Sequence, residues 1–245
     1  MENVPVYISV VFGLSTAGAV GAWYRASNRS GRTLGLLLLW LLVQAAIAST
    51  GFYTVTDGVP PRFLLLVAPP MLTIIALFAT TRGQAYLAGL RMETLLLLHV
   101  VRIPVELVLY WLFLHRAVPQ LMTFEGRNWD IISGVSALVI YCLLKMRRSV
   151  STNLLLLWNV GGLALLLNIV VNAVLSAPSP FQQFAFTQPN VAILHFPFVW
   201  LPSCVVPLVL LAHMAAIRQL LAKTRALNKR VLSVSPAVAN SEAAT

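Results

Sequence analysis

Charge is what this chain has least of. Only 10% of its residues are charged, against about 25% in an ordinary soluble domain. Hydrophobic residues make up 59%, and the mean hydropathy is +0.84. A soluble protein of this composition could not cover its surface with polar groups. Lipid removes the difficulty, because lipid is itself apolar. Strands of alternating polarity, which a membrane barrel requires, are also missing. Unbroken apolar runs such as residues 36–43 take their place. Cysteine is scarce too. Cys142 and Cys204 are the only two, and both fall inside apolar runs. A disulfide framework is excluded, and both read as small buried apolar residues. No basic region precedes the first apolar run, where Glu2 stands, so that run is not a standard cleavable signal and is expected to stay.

Familiar catalytic patterns are absent. The sequence has no Gly-x-Ser-x-Gly elbow, no phosphate-binding glycine loop, no His-Glu-x-x-His zinc helix and no Cys-x-x-Cys-His haem attachment. Whether the chain is an enzyme stays open at this stage. The net charge of +10 does not point to nucleic acid, since the basic residues cluster at the ends of apolar runs and no nucleic-acid motif accompanies them. They suit topology and contact with anionic lipid headgroups instead.

A helix needs about 20 apolar residues to cross a bilayer. Seven candidates follow along the chain, at residues 4–24, 33–56, 63–81, 94–114, 131–144, 153–176 and 198–217. The fifth is short and needs Asp130 or Lys145 near an interface to reach full length. Thirteen of the seventeen cations then fall on one set of loops. They are Arg25, Arg29, Arg32, Arg82, Arg91, Lys145, Arg147, Arg148, Arg218, Lys223, Arg225, Lys229 and Arg230. Arg62, Arg116 and Arg127 fall on the other, and Arg102 lies inside a span. The bias predicts an all-α bundle of seven transmembrane helices, N-terminus outside and C-terminus cytoplasmic. Residues 1–232 form the single membrane domain, and 233–245 a disordered cytoplasmic tail. No glycosylation sequon stands in the outer loops, which agrees with a bacterial inner membrane. No internal repeat supports an inverted-repeat transporter. The loops 115–130 and 177–197 are longer than turns require and mix aromatic with polar residues. They are candidates for function or for an aromatic belt at the headgroups.

The fourth span carries the most informative residues. Ionisable groups at membrane depth are expensive and normally face the interior of a bundle. At about 100° per residue, His99, Arg102, Glu106 and Tyr110 share one narrow stripe. Arg102 and Glu106 are four residues apart and are expected to pair, with Pro104 between them. Gln44 in the second span lies at the depth of Glu106, about 17 Å from the inner edge. Asn168 and Asn172 share a face of the sixth span, with Asn159 on the opposite face. These residues suggest a buried site for a small polar solute, ion or proton: Arg102, Glu106 and Tyr110, with Gln44, Asn168 and Asn172 as lining. The simpler reading is a structural ion pair, with amides that bond to neighbouring helices. A second possibility is a redox protein or enzyme in which His99 and His213, at matching depths, hold a haem or a metal ion. A third is a sensory or accessory membrane protein whose outer loops meet a partner.

Overall fold

The computed structural model describes residues 4–146 and 149–242, with side chains up to residue 226. Glu2, Arg147 and Arg148, the side chains of Lys229 and Arg230, and the side chains of the expected tail lie outside the described residues. The described chain is all-helical, with no strand. Helix α1 spans Val6–Ala26 and α2 spans Gly31–Ser49. Helices α3 and α4 span Leu64–Ala79 and Thr81–Ala88. Next come α5 (Met92–Leu98), α6 (Arg102–Leu114), α7 (Asp130–Lys145), α8 (Thr152–Ser176) and α9 (Val206–Glu242).

Serine hydroxyls start two of these helices. Ser30 Oγ accepts from the Thr33 N–H and Ser151 Oγ from the Leu154 N–H, each meeting one of the unpaired donors of a first turn. Prolines break others. Pro104 has no N–H to offer the Val100 carbonyl, and the three residues before α6, His99–Val101, tighten into a 3-10 turn that joins α5 to α6. Pro207 leaves the Ser203 carbonyl without its helical partner. The backbone there widens into a π turn, Leu201–Val205, and the indole of Trp40 donates to Ser203 O at 2.8 Å. Trp200 donates to Leu41 O at 2.9 Å, so two indoles tie α2 to the start of the last helix.

Five helices among the described residues are long and apolar enough to cross a membrane: Val6–Ala26, Gly31–Ser49, Met92–Leu114, Thr152–Ser176 and Leu201–Ala226. They match the first, second, fourth, sixth and seventh expected spans. The second ends at Ser49 rather than residue 56, because the chain turns at Gly51 (φ 73°) into a short 3-10 turn. The third is shorter than expected, and the fifth, expected to be short, gains only Asp130 and Lys145 at its ends. Helix α3 has 16 residues and Pro69-Pro70 within it, and the chain bends by 91° into α4. Helix α7 also has 16 residues, about 24 Å of rise against a hydrocarbon core of about 30 Å.

Apolar side chains cover much of the described surface, and several ionisable groups lie inside the apolar core. Leu36, Leu39 and Leu42 of α2, Val135 and Val139 of α7, and Leu157 and Val171 of α8 are exposed. His99, Arg102, Glu106, Asp130, Asn159 and His213 are buried. Such a surface is compatible with a multi-pass membrane protein. Cys204 is buried as expected, whereas Cys142 is exposed on α7.

The segment between α6 and α7 does not stay at the end of the bundle. Val118, Met122, Thr123 and Asn128 are buried, and Asn168, well inside α8, donates to Arg127 O at 2.9 Å. Irregular chain thus runs back down between the helices before α7 begins. Residues 190–192 cap it, through Val191 N and Ala192 N bonds to Ala117 O.

Candidate functional site

Arg102 occupies the first position of α6 and is 4% exposed. Its partner is Asp130, at the first position of α7, and not Glu106. Arg102 Nη2 and Nε donate to Asp130 Oδ2 at 2.8 and 3.1 Å. Two circumstances produce this pairing. The returning segment brings Asp130 to the level of Arg102, so Asp130 lies buried rather than at an interface. Gly134 then lets α7 approach α6, since a Cβ at this position would lie 2.8 Å from Ile103 Cγ1.

The remaining guanidinium donors meet two further helices. Nη2 donates to the Gly162 carbonyl of α8 at 3.2 Å, and Nη1 lies 3.2 Å from His213 Nε2 of α9. The tautomer of His213 follows from its neighbours. Asn159 Nδ2 donates to Leu155 O at 2.8 Å, which turns Asn159 Oδ1 toward His213 Nδ1 at 3.1 Å. Nδ1 therefore carries the proton and Nε2 accepts from Arg102, which has donors only. Gly162 makes room for this arrangement. A Cβ there would lie 2.6 Å from His213 Cε1 and 2.8 Å from Nε2.

Glu106, one turn along α6, is 2% exposed. Its Oε1 accepts from Asn128 Nδ2. Asn128 is fully engaged, since Nδ2 also donates to Met122 O at 3.0 Å and Oδ1 accepts from the Asp130 N–H at 3.2 Å. Asn128 therefore ties the Glu106 carboxyl to the backbone at the start of α7. Glu106 Oε2 and Asp130 Oδ1 are buried and meet no donor. Both residues line a cavity of about 170 Å³ that lies between α3, α6, α8 and the start of the last helix. Phe63, Leu66, Val105, Leu109, Leu166 and Ile169 are among its walls, and its polar lining residues are Glu106, Asn128 and Asp130.

His99 and His213 do come together, but as a stack. Their ring centroids are 3.9 Å apart and their planes 26° from parallel, with Trp158 packed edge-on against His99 at 5.3 Å. Ring nitrogens of stacked imidazoles point side by side rather than at a common centre. A separation of 3.9 Å also leaves no room for a haem between the rings, and both nitrogens of His213 already have partners. This geometry does not suit a metal or haem bridged by the two histidines. No group of three His, Cys, Asp or Glu side chains among the described residues is placed to hold a metal ion.

The other expected lining residues lie elsewhere. Gln44 is buried but accepts from Tyr53 Oη at 2.6 Å, in a separate apolar cluster with Phe63 and Leu194. Tyr110 packs its ring against Phe124 at 4.9 Å. Asn172 donates to Asn168 O at 2.9 Å, and Asn168 is exposed. Asn128, Asp130 and Asn159 were missed by sequence reasoning. Asn128 and Asp130 stand in the long loop singled out for its mixture of polar and aromatic residues, and Asn159 was read as facing away.

A family model described as Domain of unknown function (DUF8737) matches residues 59–221. The chain belongs to that family. The matched region begins just before α3 and contains Arg102, Glu106, Asn128, Asp130, Asn159 and His213, while α1 and α2 lie before it. The family's part of the chain thus carries the whole buried cluster. No curated protein and no solved structure matches the chain.

Proposed function

We propose that this is a multi-pass membrane protein that binds or translocates a small cation or a proton at the Arg102–Asp130–Glu106 cluster. One observation carries the reading. Two buried carboxyl groups stand near one guanidinium that bonds, of the two, only Asp130, and each keeps an oxygen without a donor in a residue that lines a cavity. A structural ion pair would need one carboxylate. The second adds a desolvated acid that Arg102 does not contact, at a depth where one charge costs about 2.5 to 3.5 kcal/mol on the insertion scale. A cation or a proton at this point offsets that cost. The segment count and direction are part of the same proposal. Seven traverses, with α3 and α7 as the short ones, put thirteen cations on the cytoplasmic side, where they meet anionic lipid headgroups.

The test is flux into liposomes that hold the reconstituted protein and a pH-sensitive dye. An imposed proton or cation gradient should dissipate faster than in empty liposomes, and Glu106→Gln should abolish the difference while the protein stays folded. Equal rates for the native protein, the variant and empty liposomes would overturn the proposal.

A further inference from the structure

We infer that the cavity between α3, α6, α8 and the last helix is a site for an organic ammonium ion, with the charged head on Glu106 and Asp130 and an apolar body against the walls. The inference rests on the proposed cation site and names its ligand class. Three ligand chemistries would satisfy the two bare oxygens, and the cavity distinguishes them. A metal ion such as calcium takes about 6 to 8 oxygen ligands. Here the polar lining consists of Glu106, Asn128 and Asp130, and the Asn128 amide is already bonded on both sides. A bare proton needs no chamber. The cavity has a volume of about 170 Å³, with walls such as Phe63, Leu109 and Leu166. A cavity of about 150 Å³ with walls of this kind holds a benzene ring. A ring or short alkyl body carrying one ammonium group matches both features. A turn of the two carboxyl groups toward the cavity would bring Glu106 Oε2 and Asp130 Oδ1, two acceptors that are buried and unpartnered, to its N–H donors. Its charge balances the carboxylate that Arg102 leaves over. The same lining disfavours an anion, which would face two carboxyl groups.

Benzylamine, benzyl alcohol and benzoate form a probe series with one body and three heads. Binding to the full-length protein in detergent at neutral pH, followed by calorimetry, should favour benzylamine over benzyl alcohol by about tenfold or more, the usual weight of a charge-assisted hydrogen bond. Benzoate should not bind. Glu106→Gln should remove the preference while retaining benzyl alcohol binding, which shows that the cavity is intact. Leu109→Trp, which fills the cavity, should remove both. Benzylamine that binds no better than benzyl alcohol to the native protein, or an equal preference in Glu106→Gln, would overturn the ammonium assignment. If Glu106-dependent flux of protons or metal ions persists in that case, the broader cation reading survives. If benzylamine binds as expected without any flux, the protein binds its cation without moving it.

Discussion

Replacing Asp130 by alanine should strand Arg102 in the interior. The guanidinium is 4% exposed, and Nε and Nη2 would lose the Oδ2 that both now use. Breaking a buried pair from one side typically costs about 3 to 5 kcal/mol, because the surviving charge stays desolvated. Gly162 O and His213 Nε2 would still accept from Arg102, so the lower half of that range is expected. In a chain of this size about 1 kcal/mol corresponds to roughly 2 to 4 °C in Tm. The predicted fall is therefore about 6 to 16 °C. Glu106→Ala removes only the Asn128 bond from this network, and should cost about 1 to 3 kcal/mol. The decisive measurement is a pair of double-mutant cycles, by thermal unfolding in detergent. Arg102→Met with Asp130→Leu should recover much of the loss of either single change, since a buried pair is often replaceable by apolar residues of similar volume. Arg102→Met with Glu106→Leu should come closer to additivity. A larger coupling between Arg102 and Glu106 than between Arg102 and Asp130 would refute the pairing described above.

Three further outcomes are expected. Gly162→Ala should lower stability by about 1 to 3 kcal/mol, because the new methyl group would overpack against His213; an unchanged Tm would mean that α8 and α9 lie farther apart. Asn159→Leu should cost about 1 to 3 kcal/mol by leaving the His213 Nδ1–H buried without an acceptor, and the imidazole NMR signals should still report the Nδ1–H tautomer, because Arg102 continues to donate to Nε2. Reporter fusions after Arg230 should read cytoplasmic, and fusions within 177–197 external; a cytoplasmic signal from the second would remove the seven-segment topology.

The helices and the interior face of the fourth span were legible because both depend on period and composition. His99, Arg102 and Glu106 share a stripe in any helix, and that stripe is the buried one. The partner of Arg102 was not legible for the same reason. Helical period names neighbours on one helix, so Glu106 was the obvious candidate. Asp130 reaches Arg102 only because the irregular chain from Ala117 to Trp129 runs back into the bundle, and no periodicity encodes that path. Gln44 illustrates a related gap: equal depth on two helices says nothing about the direction in which each side chain points. Asn159 was set apart because it lies across α8 from Asn172. Both are buried, Asn159 against His213 of α9 and Asn172 against Asn168 of its own helix. A long helix that meets different neighbours along its length buries a stripe that drifts around it.

Synthesis from the N-terminus sets an order on these contacts. On the membrane topology proposed above, α6 would enter the bilayer before its guanidinium has its counter-ion, because Asp130 is made 28 residues later. Asp130 neutralises the charge, Gly162 adds a carbonyl 60 residues after Arg102, and His213 completes the shell 111 residues after it. On the same proposal α7, with 16 residues and Asp130 at its start, would be helped to seat by pairing with Arg102. Each segment then carries a charge that is costly alone and offset by the other, so the two would be expected to insert together. A chain held on the ribosome with residue 150 just clear of the exit tunnel should hold the pair but leave the bundle open, waiting for the last two helices to close over a charge already inside.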